Sequence, residues 1–162
     1  MGNAVEQIRG VKNFLALAEA IRSAEFSNLD SQEVAAAARK LAKLKKPGTS
    51  VRVALLGTHT FPPFPDYLAV RAAASERVLE CWVGPYGQYV QPFTAATEAL
   101  REFAPDIVLL SAELRSIAPR VVFEFGSLTV EEVNAERHRI LEHLLDWAKL
   151  ASEATAAMVL IC

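Results

Sequence analysis

The sequence is poor in cysteine, lacks any long apolar run and carries almost no net charge, and each shortage excludes a class of protein. Its two cysteines, Cys81 and Cys162, lie within apolar runs. We therefore expect buried free thiols in a reducing compartment rather than a disulfide framework. No apolar run approaches the ~20 residues that span a membrane. A net charge of -2 gives no reason to expect nucleic-acid binding.

The start of the chain matches no targeting signal. Met-Gly-Asn-Ala-Val-Glu lacks the Ser or Thr that N-myristoylation requires, and there is no signal peptide. We therefore expect a cytoplasmic protein that interacts with neither nucleic acid nor a membrane.

Motifs for the common cofactors are also missing. The chain has no Gly-x-Gly-x-x-Gly fingerprint, no phosphate loop with Gly-Lys-Ser/Thr and no cysteine or histidine spacing typical of zinc. His138 and His143 would lie about 140° apart around one predicted helix, so they cannot readily share a metal. We expect no cofactor and no metal in this segment.

Four short apolar runs predict the strands of a buried parallel sheet. They are Val51–Leu56, Val78–Val83, Ile107–Leu110 and Met158–Ile161. Helical patterns separate these runs, which predicts an α/β fold with a doubly wound parallel sheet. We expect Val53–Leu56 to lie in the centre, flanked by the second and third runs.

The chain stops inside the fourth run, at Cys162. A strand of such a sheet needs helices on both of its faces. We therefore expect that this sequence is the N-terminal part of a longer protein, and that its sheet domain, residues 51–162, is incomplete at its C-terminus.

Two helices before the first strand predict an N-terminal hairpin over residues 1–46. The first spans Ala4–Ser23 with an apolar period of about 3.6 residues. Asp30 and Glu33 form a capping box for the second, which runs to about Lys45. The hairpin is a candidate contact for a partner or another subunit, and packing on this sheet or on missing parts of the protein explains it at least as well.

Two further local patterns lie in the second half of the chain. Thr129 and Glu132 form a capping box, which predicts a long helix to about Glu153. We expect a short extended segment over Arg120–Phe125.

Polar turns follow three of the predicted strands, at the edge where ligands bind in open parallel sheets. We select as a binding site the turn residues Thr58, His59, Thr60, Tyr86, Gln88, Tyr89 and Ser111. Gly84 and Gly87 permit a positive φ in the second turn. The hydroxyl, imidazole and amide groups suit a polar or phosphorylated small molecule, or the end of a carrier protein's prosthetic arm. The same residue types also stabilise turns without any ligand, and Glu113 can pair with Arg115 instead of joining this site.

Three blocks of the sequence together resemble one protein family. They read Val-Ala-Leu-Leu-Gly-Thr-His-Thr, then Gly-Pro-Tyr-Gly-Gln-Tyr, then Phe-Ala-Pro-Asp-Ile-Val-Leu-Leu. In order and spacing they resemble the N-terminal region of FkbH-like proteins, and the resemblance covers roughly Val51 to Cys162.

The resemblance implies an SGNH-hydrolase-like α/β domain, a three-layer sandwich close to the flavodoxin-like type. A haloacid-dehalogenase-type (HAD) phosphatase domain would follow it and would use magnesium. The resemblance further implies that the whole protein loads a glyceryl or related acyl unit onto an acyl carrier protein for polyketide assembly. This segment would bind the substrate, the carrier protein or the catalytic domain.

Two departures separate the chain from active SGNH hydrolases. Those enzymes carry Gly-Asp-Ser where this chain has Gly57-Thr58-His59, and Gly-x-Asn where it has Ser111-Ala112-Glu113. The nucleophilic serine and the oxyanion asparagine are therefore missing, which argues against ester hydrolysis, and we assign no catalytic residue. Two alternatives stay open: a divergent esterase or acyltransferase that uses His59 with Thr58 or Thr60, and an assembly module built on the hairpin.

Overall fold

The computed structural model describes residues 8, 10–25, 28–58, 60–85 and 94–162. Its helices are α1 (Phe14–Ser23), α2 (Ser31–Lys43), α3 (Phe64–Ala74), α4 (Thr94–Phe103), α5 (Leu114–Ile117), α6 (Pro119–Phe123) and α7 (Val130–Ala154), with a 3₁₀ helix at Phe125–Ser127. Its strands are β1 (Ser50–Gly57), β2 (Val78–Val83), β3 (Ile107–Ser111) and β4 (Met158–Ile161). Within these described ranges, no helix is both long and apolar enough to cross a membrane.

The strands form one parallel sheet in the order β2-β1-β3-β4. From β1 the chain moves outward to β2, and then returns past β1 to add β3 and β4 on the other side. This reversal makes the sheet doubly wound, with its switch point between β1 and β3. The predicted fold class and the predicted central strand are therefore confirmed. Burial agrees, because Ala54 and Leu55 of β1 are both 0% exposed.

Contacts divide the chain into two compact units, and the first contains Met1–Val51 and Phe61–Cys81. In this unit α1, α2 and α3 pack on one another. The buried residues at their centre include Phe14, Leu17, Ile21, Val34, Ala37, Leu41, Val70, Ala73 and Val78. The predicted N-terminal hairpin is present as α1 and α2, while the predicted domain boundary between residues 46 and 51 stays a prediction.

The prediction of one continuous helix over Ala4–Ser23 is wrong. Residues 8 and 10 are helical, but residues 11–13 are not, and α1 begins only at Phe14. Asn13 has extended backbone, and its side chain accepts a hydrogen bond from the Ala16 N–H at 2.9 Å. This bond satisfies one of the unpaired donors of a helix's first turn, so Asn13 starts a helix instead of continuing one.

Both predicted capping boxes are present. The Asp30 side chain accepts from the Glu33 N–H at 2.8 Å, and the Glu33 carboxylate accepts from the Asp30 N–H at 3.0 Å. Thr129 and Glu132 make the same reciprocal pair at the start of α7. Each box is complete within one helical turn, which is why the sequence alone located it.

The second compact unit contains Arg52–Thr60 and Trp82–Cys162. One face of β1 and β3 packs against α4 and α7. The buried residues of this layer are Ala54, Leu56, Leu100, Val108, Leu110 and Ala151. The Trp82 and Phe103 rings stack with centroids 6.3 Å apart, and the Arg52 guanidinium lies 4.6 Å from the Phe103 centroid. Aromatic and aliphatic contacts therefore hold the helices to the sheet on this face.

The prediction of an extended segment over Arg120–Phe125 is wrong. The chain there is helical, as α6 and the following 3₁₀ helix. Pro119 occupies the first turn of α6, where its fixed φ suits a helix and its missing N–H costs nothing. The alternating apolar residues bury no face of a strand, because Phe123 and Phe125 are 66% and 62% exposed.

The start of α7 predicts a pH dependence of stability. Glu132 accepts from the Thr129 N–H at 2.9 Å and from Arg120 at 3.1 Å. These bonds, the backbone one foremost, lower the pKa of Glu132 from its ordinary value. A lowered folded-state pKa stabilises the fold above the unfolded pKa, and this contribution is lost as pH falls through the folded pKa.

We therefore expect Glu132→Gln to reduce the free energy of unfolding at neutral pH, with a difference from wild type that shrinks as pH falls below ~4.3. Glutamine keeps the capping acceptor, so the variant removes only the charge. Urea unfolding between neutral and acid pH measures the effect, with Glu131→Gln as the matched control. A pH-independent difference between Glu132→Gln and wild type would contradict the assignment.

Candidate functional site

The carboxyl ends of β1, β3 and β4 lie side by side at one edge of the second unit. The register pairs Gly57 with Ser111, and Leu110 with Ile161. Beyond the last pair, the Cys162 N–H donates to the Leu110 carbonyl at 2.9 Å, and the Ala112 N–H donates to the Cys162 carbonyl at 3.2 Å. The turn residues that follow these strands are thus brought to the same edge, as the parallel sheet predicted.

Thr58 is the buried polar residue at this edge. Its exposed fraction is 2%. Its N–H donates to the Ser111 carbonyl at 3.1 Å, and its Oγ1 accepts from the Glu113 N–H at 2.7 Å. The side chain therefore joins the turn after β1 to the turn after β3, and it supplies the acceptor that Glu113 needs where α5 begins.

This arrangement limits what Thr58 can do chemically. A threonine nucleophile must reach the substrate and needs an adjacent base to take its proton. Thr58 is covered, and no carboxylate or imidazole within the described part of the chain is hydrogen-bonded to its hydroxyl. The geometry assigns Thr58 to holding the edge together, which is the role of turn threonines that bind no ligand.

The other predicted site residues divide into two groups. Ser111 is half-buried at the end of β3, next to Thr58, and Thr60 is exposed. The structure thus joins Thr58 and Ser111 directly, and leaves the Thr60 hydroxyl open to solvent. His59, Tyr86, Gln88 and Tyr89 lie outside the described residues.

Two residues at this edge differ from what the sequence suggested. Glu113 forms no ion pair with Arg115 among the described residues; the Arg115 guanidinium instead lies 5.7 Å from the Phe123 ring centroid. Cys162 is exposed, so the expectation of buried thiols is wrong for it, and Cys81 is half-buried. Both cysteines are free, as predicted.

Gly84, at the end of β2, is required for a different reason from the one expected. Its φ is not positive. Its N–H donates to the Leu55 carbonyl at 2.9 Å, and a Cβ at this position would collide with the Leu56 side chain. The glycine therefore leaves room for the Leu56 side chain to pack against the end of β2.

The described residues offer no ready-made metal centre. No group of three or more His, Cys, Asp or Glu side chains among them is placed to hold an ion. The His138 Nδ1 donates to the Asn134 carbonyl at 2.8 Å, while the His143 ring stacks on Trp147 with centroids 6.4 Å apart. Each imidazole thus has its own local contact on α7.

Comparisons of this chain with protein-family models, with curated proteins and with solved structures found no match.

The buried hydroxyl of Thr58 generates a stability prediction. Thr58→Val keeps the shape but leaves the Glu113 N–H without its acceptor, which costs about 1–3 kcal/mol of unfolding free energy. We expect urea unfolding to show this loss, and hydrogen exchange of the Glu113 amide to speed up. Thr58→Ser is the matched control, because it keeps the hydroxyl and removes only a methyl group. Equal exchange at Glu113 in wild type and Thr58→Val would contradict the bond's role.

Proposed function

We propose that this chain is the non-hydrolytic, SGNH-like domain of a cytoplasmic FkbH-like protein that loads a glyceryl or related acyl unit onto an acyl carrier protein. Its carboxyl edge binds the substrate, the carrier protein or the catalytic HAD domain. The proposal that the domain does not hydrolyse esters is supported by Thr58, which is buried and hydrogen-bonded.

Three features support this proposal. The doubly wound sheet has its switch point between β1 and β3, which is the usual position of a binding crevice. The residue pair at that point, Thr58 and Ser111, is joined by a backbone hydrogen bond. Two of the three sequence blocks that resemble the family lie beside this switch point. The first begins at Val53 in β1, and the third runs from Phe103 into β3.

A second candidate function is a divergent esterase or acyltransferase. Thr60 favours it, because this threonine is exposed beyond the end of β1, where a substrate can reach its hydroxyl. His59 would have to act as its base. Thr58 is the weaker nucleophile of the two, since it is covered and already holds Glu113. A third hypothesis is an assembly module built on α1 and α2. It predicts that a partner protein binds through the first unit alone.

The first test is hydrolysis of a chromogenic acetate ester. We expect no turnover above the rate of the heat-unfolded protein, because the chain lacks the serine and asparagine of active SGNH hydrolases. Thr60→Val and Thr58→Val are assayed beside wild type. Turnover that Thr60→Val abolishes, with the fold intact by circular dichroism, would favour the esterase.

The second test is binding of a polyketide-type acyl carrier protein, in its apo and holo forms, by titration calorimetry. We expect the holo form to bind, and Thr60→Arg to weaken binding about tenfold, which corresponds to ~1.4 kcal/mol. Thr49→Arg is the matched control, since Thr49 is exposed and precedes the amino end of β1. Equal binding by Thr60→Arg and wild type would remove the carboxyl edge from carrier recognition.

A further inference from the structure

The first unit contains a cavity that the proposed function does not use. Its volume is about 200 Å³. It lies between α1, α2, α3 and the start of β2. Its lining includes the apolar residues Phe14, Leu41 and Val78, the Cys81 thiol, and the charged residues Lys46, Asp66 and Arg77.

The wall of this cavity is apolar where it is buried. Phe14, Leu41 and Val78 are 4%, 6% and 6% exposed and belong to the core of the unit. The Cys81 thiol completes this wall. Burial, assisted by the negative charge of Asp66, raises its pKa to about 11. The thiol is therefore protonated at neutral pH and behaves as a small apolar group rather than as a nucleophile.

The charged residues that line the cavity differ in their exposure to solvent. Lys46 and Arg77 are exposed, whereas Asp66 is only partly so. Within the described ranges, neither cation forms an ion pair. A guanidinium and an ammonium at the rim attract an anion. The negative charge of Asp66 is felt at the Cys81 thiol. It therefore repels an anion at the buried wall of the cavity.

We infer that this cavity binds a short aliphatic carboxylate, with its carboxylate at Arg77 and Lys46 and its alkyl chain against Phe14, Leu41 and Val78. Charge and burial together fix this orientation. The volume favours a small ligand: at ~30 Å³ for each water-sized group, about six or seven non-hydrogen atoms fit within it. Butanoate and pentanoate have this number. The inference concerns the first unit and is independent of the proposed function.

The test titrates the full chain with pentanoate and with pentanamide, and follows the backbone amides of Leu41 and Val78 by NMR. We expect saturable shifts with pentanoate and at least tenfold weaker binding of pentanamide, which has the same shape and no charge. Pentyl phosphate is a third probe. Tighter binding of the phosphate than of pentanoate would overturn the assignment to a carboxylate.

Charge variants locate the anion. Arg77→Gln is expected to weaken pentanoate binding about tenfold, because it removes a charge-assisted hydrogen bond that is weakened by solvent at an exposed rim. Arg137→Gln, an exposed arginine on α7, is the matched control. For Lys46→Gln, the control is Lys12→Gln. Unchanged affinity in both Arg77→Gln and Lys46→Gln would overturn the proposal.

The last test fills the cavity with a larger side chain. Ala69→Phe is expected to abolish binding, and its thermal unfolding shows whether the fold survives. Ala42→Leu is the milder variant, since Ala42 is exposed on α2 and leucine is a good helix former. Full pentanoate affinity in Ala42→Leu, with shifts that persist at Leu41 and Val78, would place the ligand elsewhere and overturn the proposal.

Discussion

The pairing of β1 with β3 is the interaction on which the second unit depends. It runs from Val53 beside Ile107 to Gly57 beside Ser111, and side chains close it at both ends. At the amino end, the Asp106 carboxylate accepts from the Arg52 N–H at 2.8 Å. At the carboxyl end, Thr58 accepts from the Glu113 N–H at 2.7 Å. The bond at the amino end is exposed and the bond at the carboxyl end is part-buried, and a slip of the register would lose both.

This closure also bears on function. An edge that uses its buried hydroxyl to hold two turns together cannot use the same oxygen readily as a nucleophile. What stays accessible in the described part of the edge is Thr60, Glu113 and Cys162. Under the proposed function, these accessible polar groups would contribute to recognition.

The first unit follows a different plan. Its helices surround an apolar core, and its cavity combines that core with two exposed cations. Cys81 illustrates the consequence, since burial and a nearby carboxylate raise the pKa of its thiol and keep it protonated at neutral pH. Lys46 and Asp66 are far from Arg77 and Cys81 along the chain, and only packing brings all four to one cavity.

The sequence by itself determined the features that depend on near neighbours. Four apolar runs located the strands, and the boxes at Asp30 and Thr129 located two helix starts, since each box closes over three residues. The tertiary structure decided the rest. Thr58 and Glu113 are 55 positions apart, so no local pattern could assign that hydroxyl its partner. β4 is a second example. Its apolar run is typical of a buried strand, yet Met158 and Leu160 are 63% and 44% exposed. An apolar sequence favours burial of a segment. Whether other parts of the protein cover that segment depends on the tertiary packing.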